Sequence, residues 1–135
     1  MEKATNKTIK FDLVAFCDHA SMSVDGKLNL NGIFDVILAK KFPTTHPQVY
    51  VVTKFHMNKG EHSITFALMQ KDEVLAKTST QKNIEAEGAV HTHIWSVNNL
   101  PIRSAEPIEL QILHEGGQVL VKRLLIGEAK NTSSN

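Results

Sequence analysis

Among the seven histidines of the chain, His91-Thr92-His93 is the one close pair. On a strand, residues i and i+2 project from the same face, so the two rings can meet one Zn²⁺ or similar ion. Trp95 follows on that face, which makes His91, His93 and Trp95 the candidates for a metal or small-ligand site. A third ligand has to come from elsewhere, with His19, His46, His62 and Asp18 as candidates. The plainer alternative is a solvent-facing strand face carrying amphipathic residues, and a lone His-x-His weighs toward it. Cys17-Asp18-His19 invites a second chemistry, since a thiolate nucleophile needs a nearby base. Adjacent residues on a strand point to opposite faces, however, and Cys17 falls in step with Phe11, Leu13 and Ala15. A small buried hydrophobe is the better reading of Cys17.

Other chemistries find less support. The carboxylates are scattered, with no EF-hand spacing; Asp18, Asp25 and Asp72 fall where turns are expected, and turn capping explains them. There is no GxxxxGK[ST], GxGxxG, GxSxG, HExxH or kinase signature. Tyr50, Phe55 and Trp95 with Lys54, Lys77, Lys82 and Lys122 could stack single-stranded nucleic acid. Phe55 fits an apolar face, though, and the formal net charge of +1 offers no footprint for phosphate neutralisation. The expectation is a protein without catalytic residues or cofactor, hence not an enzyme, and not a nucleic-acid binder.

The elements that would position these residues are strands. Hydrophobic residues make up 41% of the 135, ordinary for one globular domain. With a single cysteine, no intrachain disulfide can form. Residues 1–7 lack the apolar stretch and cleavage site of a leader peptide, and no apolar run approaches the ~20 residues of a membrane helix. Cytoplasmic residence without membrane contact is expected. Residues 1–8 read as a flexible N-terminus, 9–127 as one domain and 128–135 as a disordered tail.

Period-two alternation dominates. Leu28, Leu30, Gly32, Phe34, Val36 and Leu38 share one face of a long strand, with Gly32 suggesting a bulge or close crossing. Apolar residues on both faces of Phe11–Cys17 argue for a central strand. Val49–Phe55, Ile64–Leu68, Ile108–Ile112 and Val119–Leu125 continue the pattern; 83–98 carries it most weakly, and within it 83–88 reads equally as helical turn or loop. Asp25-Gly26 and Gly116-Gly117 suit two-residue type I′ hairpins, the latter setting Ile112 opposite Val121 and Leu113 opposite Leu120. Asn58-Lys59-Gly60 and Lys71-Asp72-Glu73 read as hairpin connections, and Phe42-Pro43 with His46-Pro47 as brackets of a non-helical crossing. The fold expected is all-β, an antiparallel two-sheet β-sandwich of immunoglobulin-like or C2-like plan with about 7–8 strands.

Val14-Ala15-Phe16-Cys17-Asp18, Gly26-Lys27-Leu28 and Gly32-Ile33-Phe34-Asp35 resemble a bacterial family of unknown function made of small β-sandwich proteins. In that family a strand ending in Cys-Asp is followed by Gly-Lys-Leu and Gly-x-Phe-Asp. The resemblance spans roughly 11–127 and implies no activity and no catalytic residue. It draws attention to Asp18 and Asp35 as structural polar residues, expected to accept backbone N–H bonds in a neighbouring turn or bulge. The functional expectation is a non-enzymatic interaction module that binds a protein partner or forms a homo-oligomer through a sheet edge or end loops. The alternative is the metal or small-ligand domain built on His91, His93 and Trp95, with His19 in support.

Overall fold

Rows of buried apolar residues, spaced two apart along the strands that carry them, meet between two sheets in the computed structural model. The structure describes residues 6–129. The strands are β1 (Ile9–Met22), β2 (Leu28–Phe34), β3 (Val36–Ala39), β4 (Thr44–Met57), β5 (Gly60–Gln70), β6 (Glu73–Ile84), β7 (Val90–Ile102), β8 (Ile108–His114) and β9 (Gly117–Glu128). One sheet has the order β2-β1-β4-β7 and the other β3-β9-β8-β5-β6. The core between them includes Phe16, Val51 and Phe55 from the first sheet and Ile64, Phe66, Leu68, Leu110 and Ile112 from the second. No helix among the described residues is long and apolar enough to cross a membrane.

The all-β sandwich is as the alternation predicts, with nine strands among the described residues instead of seven or eight. The extra strand arises at Asp35. The expected single strand over 28–38 divides there, β2 pairing with β1 in one sheet and β3 with β9 in the other. Crossing between sheets reverses the inward set: Ile37 and Ala39 are buried, while Val36 and Leu38 are exposed. The β3–β9 pair is parallel, so the second sheet is mixed.

β1 is central, as expected, between β2 and β4. A bulge between Phe11 and Leu13 shifts its alternation, because an extra residue on one strand turns the following side chains over. Phe11 therefore packs on the main core, while Leu13 joins Cys17, Ala20 and Val52 in a separate cluster with Leu28, Leu30, Tyr50 and Ile94. The common face expected for Phe11, Leu13 and Cys17 is broken at that bulge.

Turn registers differ from expectation in three places. Glu115 and Gly116 take the positive φ values, +53° and +83°, so Ile112 faces Leu120 and Leu113 faces Gln118. The first hairpin closes through five residues, Ser23–Lys27, because the Ser23 hydroxyl bonds the Asp25 carboxylate and Ser23 and Lys27 bond through their backbones. Asn58-Lys59 carries the chain between sheets and is not a hairpin. Pro47 lies within β4 beyond the last β1 pairing, Cys17 with Tyr50, where the strand has an unpaired side that tolerates proline. Thr8 N–H donates to Asn58 Oδ1 at 3.0 Å, and Ala129 N–H to the Ala39 carbonyl at 2.8 Å. Strand β9 thus continues past the expected boundary at 127; residues 1–5 and 130–135 of the two expected flexible ends lie outside the described residues.

Candidate functional site

Residues 83–98 resolve into the end of β6, a loop and the start of β7, so His91-Thr92-His93 does lie on a strand. Its histidines face inward. His91 pairs with Phe55, His93 with Thr53 and Trp95 with Val51 across the β4–β7 ladder, and opposed residues of an antiparallel pair share a face. Phe55, Thr53 and Val51 are fully buried. The solvent-facing alternative therefore does not describe this strand face.

The His93 ring lies parallel to Phe66 of the opposite sheet, with centroids 4.6 Å apart, and the His91 ring stacks on Phe55 at 6.3 Å. His91 Nε2 and His93 Nδ1 are buried without hydrogen-bond partners. Burial, then the positive charge of Lys82, holds both imidazoles below their ordinary pKa. Neutral rings of this kind serve as aromatic packing between sheets.

The proposed supporting ligands are elsewhere. His19 stands edge-on to Tyr50 at 5.1 Å. Tyr50 alternates with Val49 and Val51 on β4, so this pair lies on the opposite face of the sheet from His91 and His93. Asp18 is exposed, its carboxylate packed over Gly32, where an added Cβ would collide with it. Gly32 has φ +68°, a second reason for glycine there. Asp35 pairs with Lys122 at 3.7 Å. Neither carboxylate accepts a backbone N–H among the described residues, contrary to expectation; both stand exposed, where water satisfies them. Cys17 is fully buried, as read from its register, and its thiol donates to the His19 carbonyl at 3.4 Å. Burial pushes that thiol up, away from a nucleophile's range.

A different histidine pair is assembled by the fold. β5 and β8 are neighbours, with Ile64 opposite His114, Phe66 opposite Ile112 and Leu68 opposite Leu110. His62 starts the inward row of β5, and His114 ends that of β8. Both are buried at 2% and 7% exposure, at the end of the sandwich where the apolar rows give out. His62 Nδ1 and His114 Nε2 are 2.8 Å apart. The rings are 12° from parallel with centroids 5.0 Å apart, so the two nitrogens face each other edge to edge. His62 Nε2 lies 2.7 Å from the Asn58 carbonyl, which can only accept, so that nitrogen carries a hydrogen. In the neutral pair His62 Nδ1 is then bare, and His114 supplies the N–H between them.

Glu115 completes the group. Its positive φ opens the β8–β9 turn, and its backbone N–H donates to the Ser63 carbonyl at 2.9 Å. Its carboxylate accepts the Ser63 N–H at 2.6 Å and lies 3.4 Å from Lys7 Nζ. The Ser63 bond, ahead of Lys7, holds the Glu115 carboxyl below its usual value. Burial and the facing His62 lower His114, while Glu115 pulls it the other way. One ligand atom from each of His62, His114 and Glu115 lies within 4.8 Å of the others, the one such three-residue group among the described residues.

A model for a family of unknown function, DUF6941, matches residues 12–126. The chain belongs to DUF6941. The matched span runs from β1 to Ile126 in β9 and contains both sheets and the His62–His114–Glu115 group, in keeping with the resemblance carried by the Cys-Asp and Gly-x-Phe-Asp segments. No curated protein matches this DUF6941 chain. Sequence reasoning weighed His62 only as a partner for His91 and did not single out His114 or Glu115. The available signal was parity: His114 continues the row Ile108, Leu110, Ile112, and His62 opens the row Ile64, Phe66, Leu68.

Proposed function

We propose that the chain is a non-enzymatic interaction module that self-associates through the edge of β2. The carrying observation is that β2, seven residues from Leu28 to Phe34, is an edge strand with neither charge nor proline. The other edges have protection of the kinds proteins use against edge pairing. β3 has only four residues, β6 carries Glu73, Lys77 and Lys82, and β7 contains Pro101 and lies against β6. The hairpin that ends in β2 also exposes apolar surface, with Ile33 61% and Met22 48% exposed and Val24 fully so.

An antiparallel edge is self-complementary, so a second copy is the occupant that fits without further specification. A two-fold axis at Asn31 would set Leu30 of one copy against Gly32 of the other and Leu28 against Phe34. The buried Cys17 and the lack of any other cysteine fit a reducing, cytoplasmic setting for such a module. Light scattering on the pure chain at tens of micromolar is expected to give a dimer, and Asn31→Lys a folded monomer. A wild-type chain that stays monomeric at that concentration removes the proposal. The ligand reading of His91, His93 and Trp95 gains no support, since these side chains pack the interior.

A further inference from the structure

We infer that His62, His114 and Glu115 form a binding site for a divalent transition-metal ion of the zinc class, independent of any association through β2. Two imidazole nitrogens and one carboxylate oxygen are a donor set that Zn²⁺ accepts with its fourth position left to water.

Three features single this group out. His62 is fixed by its Nε2–H bond to the Asn58 carbonyl, leaving Nδ1 as the nitrogen aimed at His114. An outer hydrogen bond of this kind orients metal-ligating histidines. Glu115 is likewise held before any ion arrives, because the Ser63 N–H and the tight turn fix its carboxylate beside the rings. Each carboxylate oxygen keeps a second lone pair for an ion. The group is also reachable: a recess of about 260 Å³ opens beside it, lined in part by His62, Glu61, Lys7 and Glu115.

The two facing nitrogens, 2.8 Å apart, share a proton in the metal-free chain. Ligands at about 2.0–2.1 Å on a tetrahedral ion stand about 3.3 Å apart with the ion off the line between them, so the rings must separate by about half an ångström and each turn by roughly 35°. His114 sits in the last residue of β8, beside a turn, where such a shift disturbs little of the ladder. On binding, the hydrogen of His114 moves from Nε2 to Nδ1, and His62 keeps its Nε2–H. Neither ring loses a net proton. His91 and His93 make the opposite case, since each is pressed against a phenyl ring and no third donor joins them among the described residues.

The test is titration of the full chain with zinc sulfate against a chromophoric chelator, with nitrogen-15 spectra of the histidine rings. The expected result is one equivalent bound with a Kd of about 10 μM or tighter, and a tautomer change at His114 but not at His62. Glu115→Gln, an exposed change that keeps an acceptor for the Ser63 N–H, is expected to weaken binding at least about tenfold, and His114→Asn about a hundredfold. Should His114→Asn fail to fold, Glu115→Gln alone decides. No binding tighter than about 100 μM, an unchanged affinity in Glu115→Gln, or a tautomer change only at other histidines would each overturn the assignment.

Discussion

Two histidine pairs in this molecule have opposite fates. His91 and His93 are neighbours in sequence, share a face and do no more together than pack, each against its own phenyl ring with one nitrogen left unbonded. His62 and His114 are 52 residues apart, yet their nitrogens meet at 2.8 Å with a carboxylate alongside. The difference lies in what surrounds each ring. Around His91 and His93 the neighbours are phenyl rings, Phe55 of the same sheet and Phe66 of the opposing one, and an imidazole there is used as an aromatic plate. At the end of the rows, backbone carbonyls and turn residues are within reach, and the same side chain can be oriented by hydrogen bonds.

The largest effect expected from breaking this contrast comes from Phe66→Ala. Phe66 is fully buried and carries the parallel stack on His93, so truncation leaves a cavity between the sheets. A loss of about 3–5 kcal/mol is expected in urea unfolding. A cost near that of a surface change would mean that His93 is not part of the inter-sheet packing. A smaller and opposite effect is expected of His93→Leu. It removes the unbonded Nδ1 while keeping apolar bulk, and should stabilise the chain by about 1 kcal/mol. Marked destabilisation would show instead that His93 holds a bonded partner.

The acid limb of stability sharpens the contrast further. Imidazoles in the unfolded chain titrate near about 6.5, and His91, His93 and His114 are all held lower in the folded one. The unfolded chain then binds more protons as pH falls below that value, so stability is complete above it and declines below it. Melting temperature should fall from pH 7.5 to pH 5.5, and His93→Leu should flatten that decline. Glu115, whose folded carboxyl is lowered, adds its own loss only at more acid pH. An equal slope in both chains would assign the decline to other groups.

What the sequence shows and withholds follows the same division between local and distant order. The alternation of Leu28, Leu30 and Phe34, or of Val49, Val51, Thr53 and Phe55, is local, and strands appear where it predicts. Period two states which residues share a face, but not which sheet a strand joins. The crossing at Asp35 and the bulge beyond Phe11 both reverse faces without a local signal strong enough to place them. The candidate site was half visible for the same reason. His91 and His93 are conspicuous because they are close in sequence, whereas His62 and His114 meet only through the register of β5 on β8. One residue of turn placement mattered as well: with the turn at Gly116-Gly117, Glu115 would have been an ordinary strand residue and not the pivot beside Ser63.

The chain's passage from β2 to β3 sets an order of assembly. β3 has one neighbour, β9, which follows every other strand among the described residues. While a ribosome is still extending the chain, Val36–Ala39 has no ladder to join, and β8 lacks its partner on the same side. The second sheet can therefore close only after β9 emerges, when it slots between two waiting edges and joins β3 to β8. A chain stalled before Val119 would hold both edges bare.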